Sequence, residues 1–256
     1  MRRSRFESLR AESLAERQIL TTDTEFNDMS VITIERKILE KNDEIAGQNR
    51  ARLAEHGVLA LNMVSSPGSG KTSLIERTLE HLNGKLRIAV IEGDVHTSLD
   101  AERIARYRVP VVQIVTQGGC HLEAQLVREA MAKLELAGVD LLIIENVGNL
   151  VCPANYDLGE AMKVVIISTT EGDDKPLKYP AMFRQAEVLV INKIDLLPYL
   201  NCRLDALKQH ALQINPALKV FETSCTTGTG IPDWCAWLEA MTGRKSAVPE
   251  ALGHGG

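Results

Sequence analysis

One short run, Ser65-Ser66-Pro67-Gly68-Ser69-Gly70-Lys71-Thr72, constrains this chain more than any other. An apolar stretch, Val58 to Val64, precedes it and reads as a buried strand, and Ser73 to Leu82 follows it as a helix. A glycine-rich turn ending in Gly-Lys-Thr at a strand-to-helix junction is a phosphate cradle. Backbone N–H groups wrap the phosphate oxygens, the lysine adds a point charge, and the threonine hydroxyl can hold Mg²⁺. Ser66, Gly68, Ser69, Gly70, Lys71, Thr72 and Ser73 are therefore the expected phosphate-binding residues, with Lys71 also catalytic. The position that commonly carries the first glycine is Ser65. A strand feeding a helix through such a turn belongs to an α/β architecture with a parallel sheet.

A second motif selects the base. Val188 to Ile191 is apolar and runs into Asn192-Lys193-Ile194-Asp195. Asp195 at a strand end can accept from the ring N1–H and the exocyclic amine of guanine, two donors that adenine does not present together. Lys193 packs its stem along the loop or the base. The loop after the last strand, Thr223-Ser224-Cys225-Thr226, would supply a backbone N–H to the guanine oxygen, which points to Ser224 and Cys225.

Between and beyond these motifs, apolar runs at 58–64, 86–91, 111–115, 139–145, 164–168, 188–191 and 219–223 alternate with helical stretches at 73–82, 99–107, 121–136, 176–184, 204–214 and 232–241. Mostly apolar strands separated by helices predict a three-layer α/β fold, a mostly parallel sheet with helices on both faces. Ligands then collect at the carboxyl ends of the strands. A helix is expected over 35–56, with Ile34, Ile38, Ile45 and Leu53 forming a stripe and Gly57 ending it. The domain is expected over 31–243, with a mobile extension at 1–30, a plausible alternative start at Met29, and a loose tail at 244–256.

Composition excludes several classes. Twenty-nine basic and 34 acidic residues leave a net charge of −5, which speaks against nucleic-acid binding through bulk positive charge. No apolar run approaches bilayer length. Five scattered cysteines carry no disulfide-framework spacing, and a reducing cytoplasm fits them. Glu7, Glu12 and Glu16 spoil a transit peptide in the basic N-terminus.

Carboxylates at strand ends extend the nucleotide chemistry. Asp94, in Glu92-Gly93-Asp94, and Glu145, in Glu145-Asn146-Val147-Gly148, lie where acids reach Mg²⁺ directly or through water. Both are candidate catalytic and magnesium residues together with Thr72. Asp100 reads equally as a helix cap or a metal-facing acid. No obvious catalytic glutamine is present, so slow intrinsic turnover is expected. Separately, Gly119-Cys120-His121 precedes a helix, and Cys152 follows Glu145 by seven residues. Two thiols and an imidazole make a soft-metal site for Ni²⁺ or Zn²⁺, and a nearby helix start would favour the Cys120 thiolate. Three donors fall short of the four of a closed zinc site, so a site shared by two chains or an open planar site would be needed. Ordinary buried cysteines and a capping histidine remain the alternative. Cys235 is expected in the core.

Together with Thr170-Glu171-Gly172-Asp173-Asp174-Lys175-Pro176 and Asn149-Leu150-Val151-Cys152-Pro153, these motifs resemble the HypB family of hydrogenase-maturation, nickel-insertion GTPases of the SIMIBI class, over about Ile32 to Met241. Urease-assembly relatives carry Cys-Pro-His. Here Cys120 and His121 are adjacent, which favours the hydrogenase branch. The resemblance implies GTP hydrolysis with Mg²⁺ and a homodimer in the GTP state with Cys120, His121 and Cys152 at its interface. It also implies contact with a HypA-type nickel partner and delivery to the large subunit of a [NiFe] hydrogenase. Family members with an N-terminal cysteine cluster or His-rich tract bind nickel tightly there, and no cysteine precedes Cys120 here. Lys175 or Lys178 would be placed to reach a partner's phosphates. A regulatory GTPase switch without metal delivery, or a urease-type nickel accessory GTPase, is the alternative.

Overall fold

The computed structural model describes residues 22–95 and 99–243, with side chains from residue 36 onward; residues 1–21 of the extension expected at 1–30, and the tail at 244–256, lie outside them, and 22–30 belong to a helix. The chain divides into two units, residues 1–41 and 42–256. The described part of the first, 22–41, is helical throughout and belongs to a helix, α1, that spans Thr22–Glu55 and so starts well before Glu35. The second unit carries the sheet and every feature described below.

Seven strands form one sheet: β1 (Leu59–Ser65), β2 (Ile88–Asp94), β3 (Val111–Val115), β4 (Leu141–Gly148), β5 (Met162–Ser168), β6 (Val188–Asn192) and β7 (Lys219–Glu222). All are parallel, in the order β3-β2-β4-β1-β5-β6-β7. The central strands β1, β4, β5 and β6 are buried along nearly their whole length, which is why they read as unbroken apolar runs. The order reverses at β1, and a ligand crevice opens at the carboxyl ends of such strands. One irregularity matters there. Pairing slips by one residue between Met63↔Glu145 and Ser65↔Gly148, so β4 carries an extra residue, a bulge at Asn146–Val147.

Around the sheet lie α2 (Lys71–Leu82), α3 (Leu99–Ala105), α4 (Ala124–Met131), α5 (Lys175–Lys178), α6 (Pro180–Gln185), α7 (Leu204–Ile214) and α8 (Ile231–Met241). On one face Leu74, Leu79, Trp234 and Leu238 pack on Leu61, Val90 and Val164. Trp234 donates its indole N–H to Thr78 Oγ1 at 2.9 Å, so the large ring is buried without stranding its donor. On the other face Leu53, Val127 and Met131 cover Ala60, Ile91 and Ile144, and Phe183 and Leu207 cover Val165 and Leu189. Cys235 is fully buried in the core, as expected, and burial pushes its thiol up to about 12.

Two expected helices differ. The stretch 176–184 breaks at Tyr179, because Pro180 supplies no N–H and disfavours helical geometry in the residue before it; Tyr179 has φ −126° and ψ 49°. The stretch 121–136 is helical only from Ala124 to Met131. Residues before Ala124 stay extended, and the helix starts where Asn42 Oδ1 accepts the Ala124 N–H at 2.9 Å.

Candidate functional site

The glycine-rich turn runs from the end of β1 straight into α2. Gly68 and Gly70 take positive φ of 75° and 93°, conformations that side-chain-bearing residues rarely adopt. Gly70 is doubly required, because a Cβ there would collide with the Asn192 carboxamide. Asn192 Nδ2 donates to Ser69 O at 3.0 Å and its Oδ1 accepts from Thr223 Oγ1 at 3.3 Å and Cys225 N at 3.4 Å. One side chain thus ties the cradle to the β7 loop. Lys193, with φ 62°, donates from Nζ to Gly68 O at 2.6 Å. A cavity of about 540 Å³ opens above, lined by the cradle, Asp94, Asp100, Glu145, Gly148 and Lys193.

Acids converge on that cavity. Thr72 Oγ1 donates to Glu145 Oε1 at 2.7 Å, and Lys71 Nζ lies 3.2 Å from the same oxygen. Glu92 sits opposite Glu145 in the sheet register and is buried. Burial, then repulsion from Glu145 and Asp94, pushes its carboxyl up to about 8. Glu92 Oε2 and Glu145 Oε2 are buried with no protein hydrogen bond. Glu145 Oε2, whose sister oxygen accepts from the Thr72 hydroxyl, fits a Mg²⁺ ion held with triphosphate, whereas Glu92 is driven towards its neutral form. Asp100 lines the cavity but is held by Arg103, whose Nη1 donates to its Oδ1 at 3.0 Å.

At the base-binding side, Asp195 Oδ1 is likewise buried and unpartnered, an acceptor fit for guanine donors. Glu171 was singled out only within a motif, yet it braces the cradle. Its Oε1 accepts from Ser69 Oγ at 2.7 Å and from Ser168 N at 2.8 Å, and Lys175 lies 2.9 Å from its Oε2. Burial opposes ionisation, but hydrogen bonds involving Ser66, Lys175 and Ser69 outweigh it and hold this carboxyl below its usual range. Lys178 pairs with Asp174.

A second cluster lies on the loops that follow β3 and β4. One donor atom each from Cys120, His121 and Cys152 falls within 4.8 Å of the others. The two sulfurs are 2.8 Å apart, and His121 Nδ1 is 3.6 Å from Cys120 Sγ. His121 stacks on Tyr156 with centroids 3.9 Å apart, and its Nε2 is buried without a hydrogen-bond partner. Burial holds the imidazole below its usual pKa, which keeps it neutral and able to ligate. The expected favouring of the Cys120 thiolate does not hold in the metal-free chain. The neighbouring Cys152 thiol, then burial, raises Cys120, and helix α4 begins only at Ala124. A soft cation between the sulfurs would reverse that balance.

The scaffold of this centre escaped sequence reasoning, because it is made by α1. Asn42 Nδ2 donates to Asp157 O at 2.8 Å, and Asn49 Nδ2 donates to both Ala124 O at 2.8 Å and Leu158 O at 2.9 Å. Arg50 grips Asp157 with two contacts of 2.8 Å. The helix therefore spans the segments downstream of both His121 and Cys152. Asn149 Nδ2 donates to Cys120 O at 3.3 Å and joins the two donor loops directly.

With this geometry in place, the similarities to known proteins fall into line. Residues 59–222 match the family described as CobW/HypB/UreG, nucleotide-binding domain. The chain is 51% identical over 215 residues to the hydrogenase maturation factor HypB of Azotobacter vinelandii, covering 84% of this chain and 71% of that protein. Against HypB of Escherichia coli K12 identity is 48%, over 82% of this chain and 73% of that one. Among solved structures, HypB from Helicobacter pylori in complex with nickel superposes with a TM-score of 0.76 at 37% identity, covering 83% of this chain and all (100%) of that one. HypB from Archaeoglobus fulgidus gives 0.75 at 40% identity, over 79% and 99%.

Proposed function

The chain belongs to the CobW/HypB/UreG family, on its HypB side, and from that premise we propose that it is a GTP-hydrolysing nickel chaperone for hydrogenase maturation. The observation that carries this reading is the placement of Cys120, His121 and Cys152 within 4.8 Å of one another, on the loops after β3 and β4, the latter the strand whose Glu145 and Gly148 line the nucleotide cavity. A GTPase without cargo has no use for two thiols and an unpartnered imidazole there.

The chemistry divides among this chain's residues. Cradle N–H groups and Lys71 hold the β- and γ-phosphates; Asp195, Lys193 and the Ser224–Cys225 backbone select guanine. Thr72, Glu145 and Asp94 would hold Mg²⁺, which when bound spreads positive charge over the phosphate oxygens. Lys71 is paired with Glu145 before nucleotide arrives, so binding exchanges that partner for phosphate and frees the carboxylate. Water then attacks the γ-phosphorus, the bond to the β,γ-bridging oxygen breaks, and GDP and phosphate leave. Slow turnover is expected, since among the described residues no glutamine lines the cavity.

Nickel is cargo. Two sulfurs and an imidazole suit Ni²⁺ or Zn²⁺. Three donors leave the coordination open, and a second copy would complete it in a GTP-favoured homodimer. Val151, next to Cys152, is 61% exposed and would lie in that interface. A HypA-type partner would load the site, and the large subunit of a [NiFe] hydrogenase would receive the ion, in the cytoplasm. No described helix is long and apolar enough to cross a membrane.

The test measures GTP hydrolysis, association state and bound nickel in one preparation. Lys71→Ala should abolish GTP binding, and Cys120→Ala should weaken nickel binding with an analogue of GTP bound. Nickel held equally tightly, with the same absorption spectrum, under GDP and under the analogue would refute the delivery cycle.

A further inference from the structure

Leu122 follows the Cys120-His121 pair directly and is fully buried. Two independent contacts fix it, and each comes from a different strand of the nucleotide site. Its backbone N–H donates to Asn146 Oδ1 at 3.1 Å, and that oxygen also accepts from Val147 N at 2.9 Å. Asn146 sits in the β4 bulge, next to Glu145. Asn146 cannot turn away, because its Nδ2 donates to Asn62 Oδ1 at 3.1 Å and the side chain is buried. From the other side, the Leu122 side chain lies against the backbone of Gly93, between Glu92 and Asp94. A Cβ added to Gly93 would stand only 2.8–2.9 Å from Leu122 Cδ1, Cδ2 and Cγ.

The same loop is tied to β2 once more. Thr116 N donates to Asp94 O at 2.9 Å, and Thr116 Oγ1 donates to Gly119 O at 2.7 Å, one residue before Cys120. The loop carrying Cys120 and His121 is thus held on both sides by the two strand ends that present acids to the nucleotide cavity.

We propose that Leu122 is the positioning residue that carries the state of the nucleotide site to the metal donors. It does so wedged on Gly93 and clamped by Asn146. The inference rests on the nickel-binding reading above and adds the route by which the phosphate end acts on His121 and Cys120. A close-packed wedge transmits displacement, because interiors of this density do not absorb a shift without moving the neighbour. Physical adjacency is not yet coupling, so the test must read an energy of interaction between the two sites.

The measurement is nickel affinity of the full chain, by competition with a chromophoric chelator, once with GDP and once with a non-hydrolysable GTP analogue, both with Mg²⁺. Their ratio is the coupling, of order tenfold for sites linked in this way. Leu122→Ala and Gly93→Ala should each bring the ratio to within about twofold of unity. The double variant Gly93→Ala/Leu122→Val should restore it, since the added methyl occupies room that the smaller side chain gives up. That rescue also keeps the test open should Leu122→Ala fold poorly. Equal weakening of nickel binding in both states, with the wild-type ratio kept, is what a purely structural Leu122 gives, and it overturns the proposal. A wild type whose ratio is already one overturns the nickel-delivery reading itself, and this inference with it.

Discussion

Asn49→Ala separates a helix that braces the metal loops from one that merely covers the sheet. The Asn49 carboxamide is 1% exposed and donates to Ala124 O and Leu158 O at 2.8 and 2.9 Å. Each such bond is worth about 0.5–1.5 kcal/mol net, and a buried acceptor stranded by the change costs about 1–3 kcal/mol. The Ala124 carbonyl stands at the start of α4 and keeps its place in the helix, so its loss lies at the low end. Asn49 Oδ1 has no partner, and deleting that buried oxygen returns part of the cost. The balance is a loss of about 2–3 kcal/mol. At about 2–4 °C per kcal/mol for a chain of this size, Tm falls by roughly 4–12 °C. Urea unfolding should show a lower midpoint with an unchanged slope. Nickel affinity should fall by about tenfold at a temperature where the variant is fully folded, because outer residues that orient ligands carry effects of that size. A stability change under about 0.5 kcal/mol, or full nickel affinity in a destabilised variant, would refute the brace.

Three further outcomes follow from the nucleotide site. Asp195→Asn replaces an acceptor with a donor, so guanine loses affinity and xanthine, with an oxygen at its second carbon, gains it; nucleotide competition reads the exchange. Glu171→Ala removes the carboxylate that shares the Ser69 hydroxyl with Ser66 O and that pairs with Lys175, and charged hydrogen bonds of about 1.5–3 kcal/mol predict roughly ten- to hundredfold weaker GTP binding by calorimetry. Glu92 has its carboxyl raised to about 8 in the fold from 4.5, so the fold binds this proton more tightly than the unfolded chain does. Its contribution to stability is complete below about pH 4.5 and is lost as pH rises through 8. Glu92→Gln should therefore flatten the fall in urea midpoint between those values in metal-free, nucleotide-free protein. An unaltered pH profile would show that Glu92 does not titrate there.

The five inner strands are legible because a strand buried on both faces is an uninterrupted apolar run, whereas the edge strands β3 and β7 are only partly buried. The carboxyl ends of the inner strands are less legible. Glu92-Gly93-Asp94 and Asn146-Val147-Gly148 stay in the sheet although they are polar or small, since those positions serve the cavity and not the core. The cradle and the guanine motif are local in sequence and could be read directly. Cys120, His121 and Cys152 could be named as donors, but their convergence depends on contacts that no local pattern encodes. Asn42, which starts α4, is 82 positions from Ala124, and Glu171 is 102 from Ser69. Hydrogen bonds between buried polar side chains at such separations leave no periodicity to find. The break at Tyr179 does carry its signal in the following proline, which outranks the helical pattern on either side.

Two cations at the cavity are already engaged by the protein itself. Lys71 is held by Glu145, and Lys193 by the Gly68 carbonyl. Gly148 approaches Pro67 so closely that an added Cβ would lie 3.2 Å from its ring and backbone. On the proposed reading, a triphosphate in the cradle would draw Lys71 from Glu145 and press on the seam between Pro67 and Gly148. The first change is common to every nucleotide that reaches Lys71, whereas the second is needed only for a group that projects beyond the cradle. Gly148 is followed at once by Asn149, which holds the Cys120 carbonyl, and three residues later by Cys152. Gly148 therefore lies one residue from the side chain that holds the Cys120 carbonyl and four from Cys152, and under the proposed cycle a contact with the terminal phosphate there would act on both thiol loops.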